Sequence, residues 1–419
     1  MQKHVRHLML DPNLVPSDKL DLISRIASFA GSLDMPCYLV GGFIRDLLLH
    51  KPVNDYDIVV EGDAIGFGKK LVGKYGGHIT SHGKFRTAIW ITTDHVSIDL
   101  ITARSESYIQ PGALPTIRPS TILDDLRRRD FAINAMAVRL DGGHLGEVLD
   151  ILSGLADLEN GIVRVLHPRS FIDDPTRIFR AVRYEQRYGF AIEPETLQLI
   201  NKDSLEILST LSGERLRNEF DLIFLEDKPG ADLIRLQDLG VLAAINPELQ
   251  RIEYGNAFPS NLQADGALGV EFNRILLGWA SWLKALPRDS ILSLSQRLDF
   301  SFILRELLLS GSKLNSELSA FLGSKPSVWT GFLDDFPPIS IYSIWLTSKE
   351  TALREYLLNW RHVKPRISGD DLKMIGIPPG PAYKKILSRL RTAWLDGEIG
   401  DEQEEEMLLK SLLGSSAPF

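Results

Sequence analysis

The chain has 419 residues, 44% hydrophobic and 24% charged, with a formal net charge of -8. A chain of this length exceeds one ordinary core and predicts about two to four domains, while the composition excludes disordered and fibrous classes. The apolar runs are too short to span a bilayer, and a single cysteine, Cys37, excludes an internal disulfide and a cysteine-based zinc site.

In chain order, MQKHVRHLMLDPN carries basic residues without an apolar core or a cleavage site, so no signal peptide is expected and the cytoplasm is the expected compartment. Residues 19–33 and 63–74 predict helices, and CYLV, DIVV, TAIWIT and SIDLITA predict strands. Cys37 lies in the first of these strands and is expected to be buried and inert. From about Asp157 onward, β-branched alternation gives way to helix-period leucines, as in TLQLINKDSLEILSTL and ERLRNEFDLIFLE. Loop signals fall at Lys228–Gly230, residues 254–268 and residues 364–381. The pattern is an α/β or α+β unit followed by an all-helical region.

Charge is segregated along the chain. Six arginines lie between Arg164 and Arg187, whereas Asp396 to Glu406 reads DGEIGDEQEEE. Net acidity therefore does not exclude a nucleic-acid partner for the first half.

The stretch CYLVGGFIRDLLLHKPVNDYDIVV, residues 37–60, joins two features. Asp55 and Asp57 alternate along a strand, so both carboxylates project from one face with Cα atoms roughly 6.6 Å apart. Such a pair can share hard cations such as Mg²⁺, whose remaining positions go to water and substrate phosphates. Gly41-Gly42 follows a strand and opens a helical segment, where backbone N–H groups can hold a phosphate, with Arg45 one turn along. Taken singly, Asp-x-Asp is common and a Gly-Gly turn is usually only a turn.

Together they resemble the first signature of the DNA polymerase β nucleotidyltransferase superfamily, in the form used by class II CCA-adding enzymes and bacterial poly(A) polymerases. DDLRRRDFAINAMAV, residues 124–138, would by itself read as a helix with a solvated basic start. It resembles the family's second motif, which implies that Arg129 contacts the nucleotide; Ala132 stands where the family usually has threonine.

The third segment is FIDDPTRIFRAVRYEQRYGF, residues 171–190. Asp174 followed by Pro175 predicts an N-cap and first helical position. Arg177, Arg180 and Arg183 then trace a slanted basic stripe, while Ile178, Phe179 and Val182 face the core. The bland alternative is an amphipathic helix with solvated arginines. Asp173-Asp174-x-x-Arg177 resembles the family's base-reading Glu-Asp-x-x-Arg motif, with Asp173 in place of Glu. The chemistry of such a pair is specific: carboxylate only accepts and guanidinium only donates. It therefore complements the amino donor and ring-nitrogen acceptor of C and A and opposes G and U.

Weaker features follow the same resemblance. Asp99 in SIDLITARSESY is a candidate third acid, with a structural role as its alternative. Lys84 and Arg86 belong either to a flexible element near the nucleotide or to a basic hairpin. Glu214 and Arg217 in LSGERLRNEF are expected to be structural. Lys384, Lys385, Arg389 and Arg391 either meet RNA phosphates or line a solvated helix. Only His362 follows residue 167 among the histidines, which excludes the appended HD phosphohydrolase domain of some relatives.

The resemblance implies a nucleotidyltransferase head with a mixed sheet over residues 1–150. Beyond it come a helical neck with the base-reading motif (151–225), a helical body (226–310) and an RNA-binding helical tail (311–419). It further implies Mg²⁺ at Asp55 and Asp57, phosphates positioned by Gly41, Gly42 and Arg45, and nucleotide gripped by Arg129, Asp174, Arg177, Arg180 and Arg183. The expected reaction is template-independent addition of C and/or A to the 3′ end of tRNA from CTP or ATP. The partner is the tRNA acceptor and T-arm, with no membrane. A poly(A) polymerase is the alternative within the class. A catalytically dead RNA-binding protein and a toxin-type nucleotidyltransferase acting on protein are rivals outside it. Intact Asp55, Asp57 and Gly-Gly argue against the first, and the long helical region against the second.

Overall fold

A computed structural model of the chain describes residues 9, 11, 13–53, 56–141, 144, 146–252, 259, 262 and 273–414. These fall into two compact units, residues 1–211 with 239–244 and residues 212–238 with 245–419.

The first unit is built on a seven-stranded mixed sheet in the order β3-β4-β5-β2-β1-β8-β9. Its strands are β1 (Cys37–Val40), β2 (Asp57–Val60), β3 (His78–His82), β4 (Thr87–Ile91), β5 (Ser97–Thr102), β8 (Met136–Arg139) and β9 (Glu147–Asp150). A separate hairpin pairs β6 (Arg104–Ser107) with β7 (Thr116–Pro119). Only β2 and β5 run parallel in the large sheet; its other neighbours are antiparallel. Central β1 is buried at all four positions, as its unbroken apolar run requires. Cys37 is fully buried there, and burial pushes its thiol pKa up to about 12, leaving an inert side chain.

Helices α1 (Ser17–Ser32), α2 (Gly42–Leu48), α3 (Ala64–Tyr75) and α4 (Ile122–Arg127) belong to the same unit. The helices expected over 19–33 and 63–74 are α1 and α3. All four expected strands form, as β1, β2, β4 and β5. The HGKFRTAIW segment is the turn and second strand of the β3–β4 hairpin. The segment at 124–138 departs from a single helix: α4 stops at Arg127, a 3₁₀ turn covers Ala132–Asn134, and β8 follows. Sheet pairing of Leu39 and Val40 with Val138 and Ala137 overrides the helical propensity of the alanines and methionine.

Among the described residues, the region after Asp157 is helical apart from one short parallel pair, β10 (Ile162–Val163) with β11 (Ala191–Ile192), which interrupts the expected all-α run. Helices α5 (Gly154–Asn160), α6 (Ser170–Asp173) and α7 (Arg177–Tyr188) lie here. Regular helix thus begins three residues after Asp174. Pro175 removes a donor, and i→i+3 bonds from Arg177, Ile178 and Phe179 to Asp174, Pro175 and Thr176 make a tighter entry turn.

The second unit is helical throughout its described residues. Helices Gly213–Phe224 and Arg274–Leu283 meet through Phe220, Phe224, Trp279 and Trp282, with Phe300 against Trp279. Gly278 permits that approach, because a Cβ there would lie 2.3 Å from the Phe224 ring. Arg217 donates to the carbonyls of Leu298 and Asp299, a structural role. Pro229, within the expected loop at 228–230, instead opens the helix Pro229–Asp238, as proline does at a first turn. The expected loop at 254–268 lies largely outside the described residues; that at 364–381 contains a short helix, Gly369–Met374, capped by Ser368.

Candidate active site

The end of the large sheet where β1 finishes gathers the chemistry. Leu39 pairs with Ile58 in antiparallel register, so Gly41, just past β1, lies beside the start of β2 at Asp57. Asp57 is in turn the register partner of Asp99 on parallel β5. Register partners project to the same face on strands about 4.8 Å apart, so these carboxylates form a pair across two strands. Asp55 lies outside the described residues. The described part of the site therefore offers Asp57 and Asp99, hard oxygen donors of the kind a divalent cation selects.

The Gly-Gly turn does more than expose backbone. Gly41 has φ +67°, a left-handed conformation, and its N–H donates to the Met136 carbonyl at 3.4 Å. A Cβ on Gly41 would sit 2.7 Å from Nη1 of Arg129, and one on Gly42 3.2 Å from Nη2 of Arg45. The two glycines thus make room for two guanidinium groups. Glycine answers both demands at once, positive φ and an empty side-chain volume.

Arg45 is buried and engaged around its whole fork. Nε and Nη2 donate to the two carboxylate oxygens of Asp46, each at 2.9 Å, and Nη1 donates to Oδ1 of Asn134 at 2.6 Å. Its guanidinium lies 5.2 Å from the Tyr184 ring centre and 5.1 Å from that of Tyr188. Burial opposes its charge, but the Asp46 bonds outweigh that and hold its pKa above the ordinary value. Tyr188 also donates to Asp46, at 3.0 Å. Arg45 therefore ties α2 to α7.

The arginine run at 127–129 divides by environment. Arg127 is exposed, while Arg128 and Arg129 both pair with fully buried Asp125, at 2.7 and 2.9 Å. Burial pushes the Asp125 pKa up, but the two guanidinium groups overcome it and hold the carboxyl below its usual range. Arg128 also meets Glu106, which pairs with Arg104 as well. Arg129 reaches the Asn134 carbonyl at 3.5 Å, and its buried Nε has no hydrogen-bond partner among the described residues.

In the third segment Ile178, Phe179 and Val182 are fully buried, so the core face is the one expected. Arg177 is buried too: Nη1 donates to Ser170 Oγ at 2.8 Å and Nη2 to the Arg128 carbonyl at 3.1 Å. Asp174 accepts from the Thr176 N–H at 3.2 Å and hydroxyl at 2.7 Å. Arg180 donates to Asp130, through Nε at 2.7 Å, and Asp130 also accepts from the Asn134 side chain at 3.0 Å. Burial raises the Asp130 pKa and the facing Arg180 charge, with these hydrogen bonds, lowers it further, to a net depression. Arg183 is half-buried on the same helix.

Asn134 thereby joins the second motif to the first, through Arg45, and Asp130, which it also contacts, carries the link to Arg180 of the third. Asp46, Asp125, Asp130, Asn134, Ser170, Tyr184 and Tyr188 escape sequence reasoning as site residues. Spacing signals existed for Asp125–Arg129 and Asp130–Asn134, each i,i+4; the long-range contacts left none.

Residues 37–164 match the poly A polymerase head domain, and residues 189–252 match the probable RNA and SrmB-binding site of polymerase A. Over 96% of its length the chain is 32% identical to the A-adding tRNA nucleotidyltransferase of Halalkalibacterium halodurans, covering 95% of that protein. The chain belongs to the tRNA nucleotidyltransferase and poly(A) polymerase family.

A second family member, the A-adding tRNA nucleotidyltransferase of Geobacter sulfurreducens, is 35% identical over 99% of this chain, which spans only 49% of that longer protein. Among solved structures, the Thermotoga maritima CCA-adding enzyme complexed with tRNA superimposes with a TM-score of 0.78 at 29% identity. That match covers 98% of each chain. Family chemistry is nucleotidyl transfer, which implies use of a divalent metal ion. Among the described residues no helix is long and apolar enough to cross a membrane.

Proposed function

We propose that this chain adds the terminal A to tRNA: it transfers AMP from ATP to the 3′-hydroxyl of a tRNA ending in CC, with release of pyrophosphate. The observation that carries the reading is the convergence, in one unit, of the Asp57–Asp99 pair, the Gly41–Gly42 turn and the Asp174–Arg177 segment. Similarity along nearly the whole chain to two A-adding enzymes favours A over C.

Asp55 and Asp57, with Asp99 beside them, would hold Mg²⁺; when bound, the ion supplies charge neutralisation at the triphosphate and activation of the attacking hydroxyl. Arg129, reaching into the space left by Gly41, grips the nucleotide close to the carboxylates. Gly42 shapes the adjoining space, and Arg45 fixes α2 to α7 so that the phosphate and base ends of the nucleotide keep one spacing. Asp174 and Arg177 read the Watson–Crick edge, while Arg180 and Arg183 line the helix beside it. A mismatched base leaves buried polar groups unpaired, costing about 1–3 kcal/mol for each.

The test offers purified protein tRNAs ending at the discriminator base, at C and at CC, each with CTP, ATP, GTP or UTP. A single A added only to the CC end is the expected product. Stepwise C, C, A would make it a full CCA-adding enzyme, and a long A tail on unrelated RNA a poly(A) polymerase. Robust use of GTP would overturn the Asp174–Arg177 reading.

A further inference from the structure

Ser170 opens α6 and is wholly shielded from solvent. Its hydroxyl oxygen accepts from Arg177 Nη1 at 2.8 Å, and its carbonyl oxygen accepts from the backbone N–H of Asp174 at 3.1 Å. One residue thus touches both members of the Asp174–Arg177 pair. The pair is closed on itself by the Arg177 N–H, which donates to the Asp174 carbonyl at 3.1 Å.

We propose that Ser170 is a positioning residue for nucleotide selection, fixing the direction of the Arg177 guanidinium relative to the Asp174 carboxylate; this rests on the reading of that pair as the base-reading element. The physical need is plain. A guanidinium on a flexible stem discriminates between bases only if its plane and direction are set before the base arrives. Ser170 holds one corner of the fork and the Arg128 carbonyl, at 3.1 Å, holds another. The Tyr108 hydroxyl lies a further 3.5 Å from Nη2. Arginine carries more donors than these partners use, so the remaining ones keep a fixed direction.

Without the Ser170 oxygen, Nη1 loses its anchor and the fork can turn about its Nη2 contact. A turned fork meets a guanine carbonyl nearly as well as an adenine ring nitrogen. Discrimination falls while the metal-binding carboxylates are untouched. A serine that merely filled its site would instead lower stability and slow all four nucleotides alike.

The experiment measures kcat and KM for ATP, CTP, GTP and UTP on tRNA ending in CC, with thermal unfolding alongside, for the full chain and its variants. In Ser170→Ala the preference for ATP over GTP is expected to fall about tenfold, mainly through a raised KM for ATP. Ser170→Thr, which keeps the hydroxyl, restores most of the preference. If Ser170→Ala fails to fold, Ser170→Cys, of similar size and weak as an acceptor, takes its place with the same expected loss. An unchanged ratio, or an equal loss for all four nucleotides, would overturn the proposal. Arg177→Ala separates the two layers: a retained ratio there defeats the base-reading assignment itself. A lost ratio there, with Ser170→Ala still selective, defeats only the role of Ser170.

Discussion

Around Asp125, Asp130 and Asn134 the first unit sets arginines against buried carboxylates, whereas around Trp279 the second unit buries edge-on and tilted rings. Paired buried charges return little net stability, because desolvation consumes most of their attraction, but they have one geometry in which every partner is met. Aromatic packing returns stability and tolerates small shifts more readily. The contrast teaches where this chain spends each kind of interaction: polar networks where three motifs must keep register, apolar packing where helices only need to stay together.

The largest break in that contrast should come at the sheet end. Asp57→Ala removes a carboxylate of the proposed metal site, so nucleotide incorporation should fall about a thousandfold or more. Circular dichroism and melting behaviour should stay close to those of the parent. Ordinary turnover by a folded Asp57→Ala protein would remove Asp57 from the chemistry.

Next is the network itself. Asp125→Ala leaves Arg128 and Arg129 side by side without their shared counter-charge, and should cost about 3 kcal/mol in urea unfolding. The released Arg129 should also raise the KM for ATP, so one substitution joins a stability loss to a binding loss. A purely thermodynamic loss, with KM unchanged, would show that Arg129 does not meet the nucleotide.

On the aromatic side, Gly278→Ala places a methyl 2.3 Å from Phe224 Cγ, inside any permitted contact. Overpacking of this kind costs about 1–3 kcal/mol. Here KM for ATP and the ATP:GTP ratio should not move, which is the outcome that sharpens the comparison with Asp125. Calorimetry with kinetics on the same sample decides it.

How much of this was legible beforehand follows from the same physics. Strands β1, β2, β4 and β5 carry apolar runs or alternation, and they were readable. Strand β3, HITSH, is mostly exposed and held by its pairing with β4, so hydrophobic pattern offered nothing. In the site, spacing together with the family resemblance singled out the Gly-Gly turn, Asp57 and the stripe of α7. It did not reveal that Arg45 and Arg177 are buried, because burial of a charge depends on partners from remote segments: Asn134 for one and the Arg128 carbonyl for the other. Arg389 and Arg391, candidates for RNA phosphates, pair with Glu398 and Asp334. Sequence exposes which charges cluster; only the fold decides which are already neutralised.

The smallest effect tests a place where the second unit departs from its own rule. Lys284 is buried, and Nζ donates to the Ser343 carbonyl at 3.2 Å and the Thr347 hydroxyl at 2.7 Å. Burial alone depresses its pKa to about 8. The unfolded chain keeps an ordinary lysine near 10.5, so between about 8 and 10.5 the unfolded state binds more protons and stability rises with pH. Below that window the full desolvation cost, about 3 kcal/mol, is present; above it the folded and unfolded lysines are both neutral and the slope vanishes. Lys284→Met removes the charge and also two hydrogen bonds, so its net gain at neutral pH should be only about 1–2 kcal/mol. The difference between parent and variant, followed by urea unfolding from pH 7 to 10, should shrink as pH rises. A difference independent of pH would mean that Lys284 is solvated in the folded protein, and that the helical unit holds its charge as comfortably as the first unit holds Arg128.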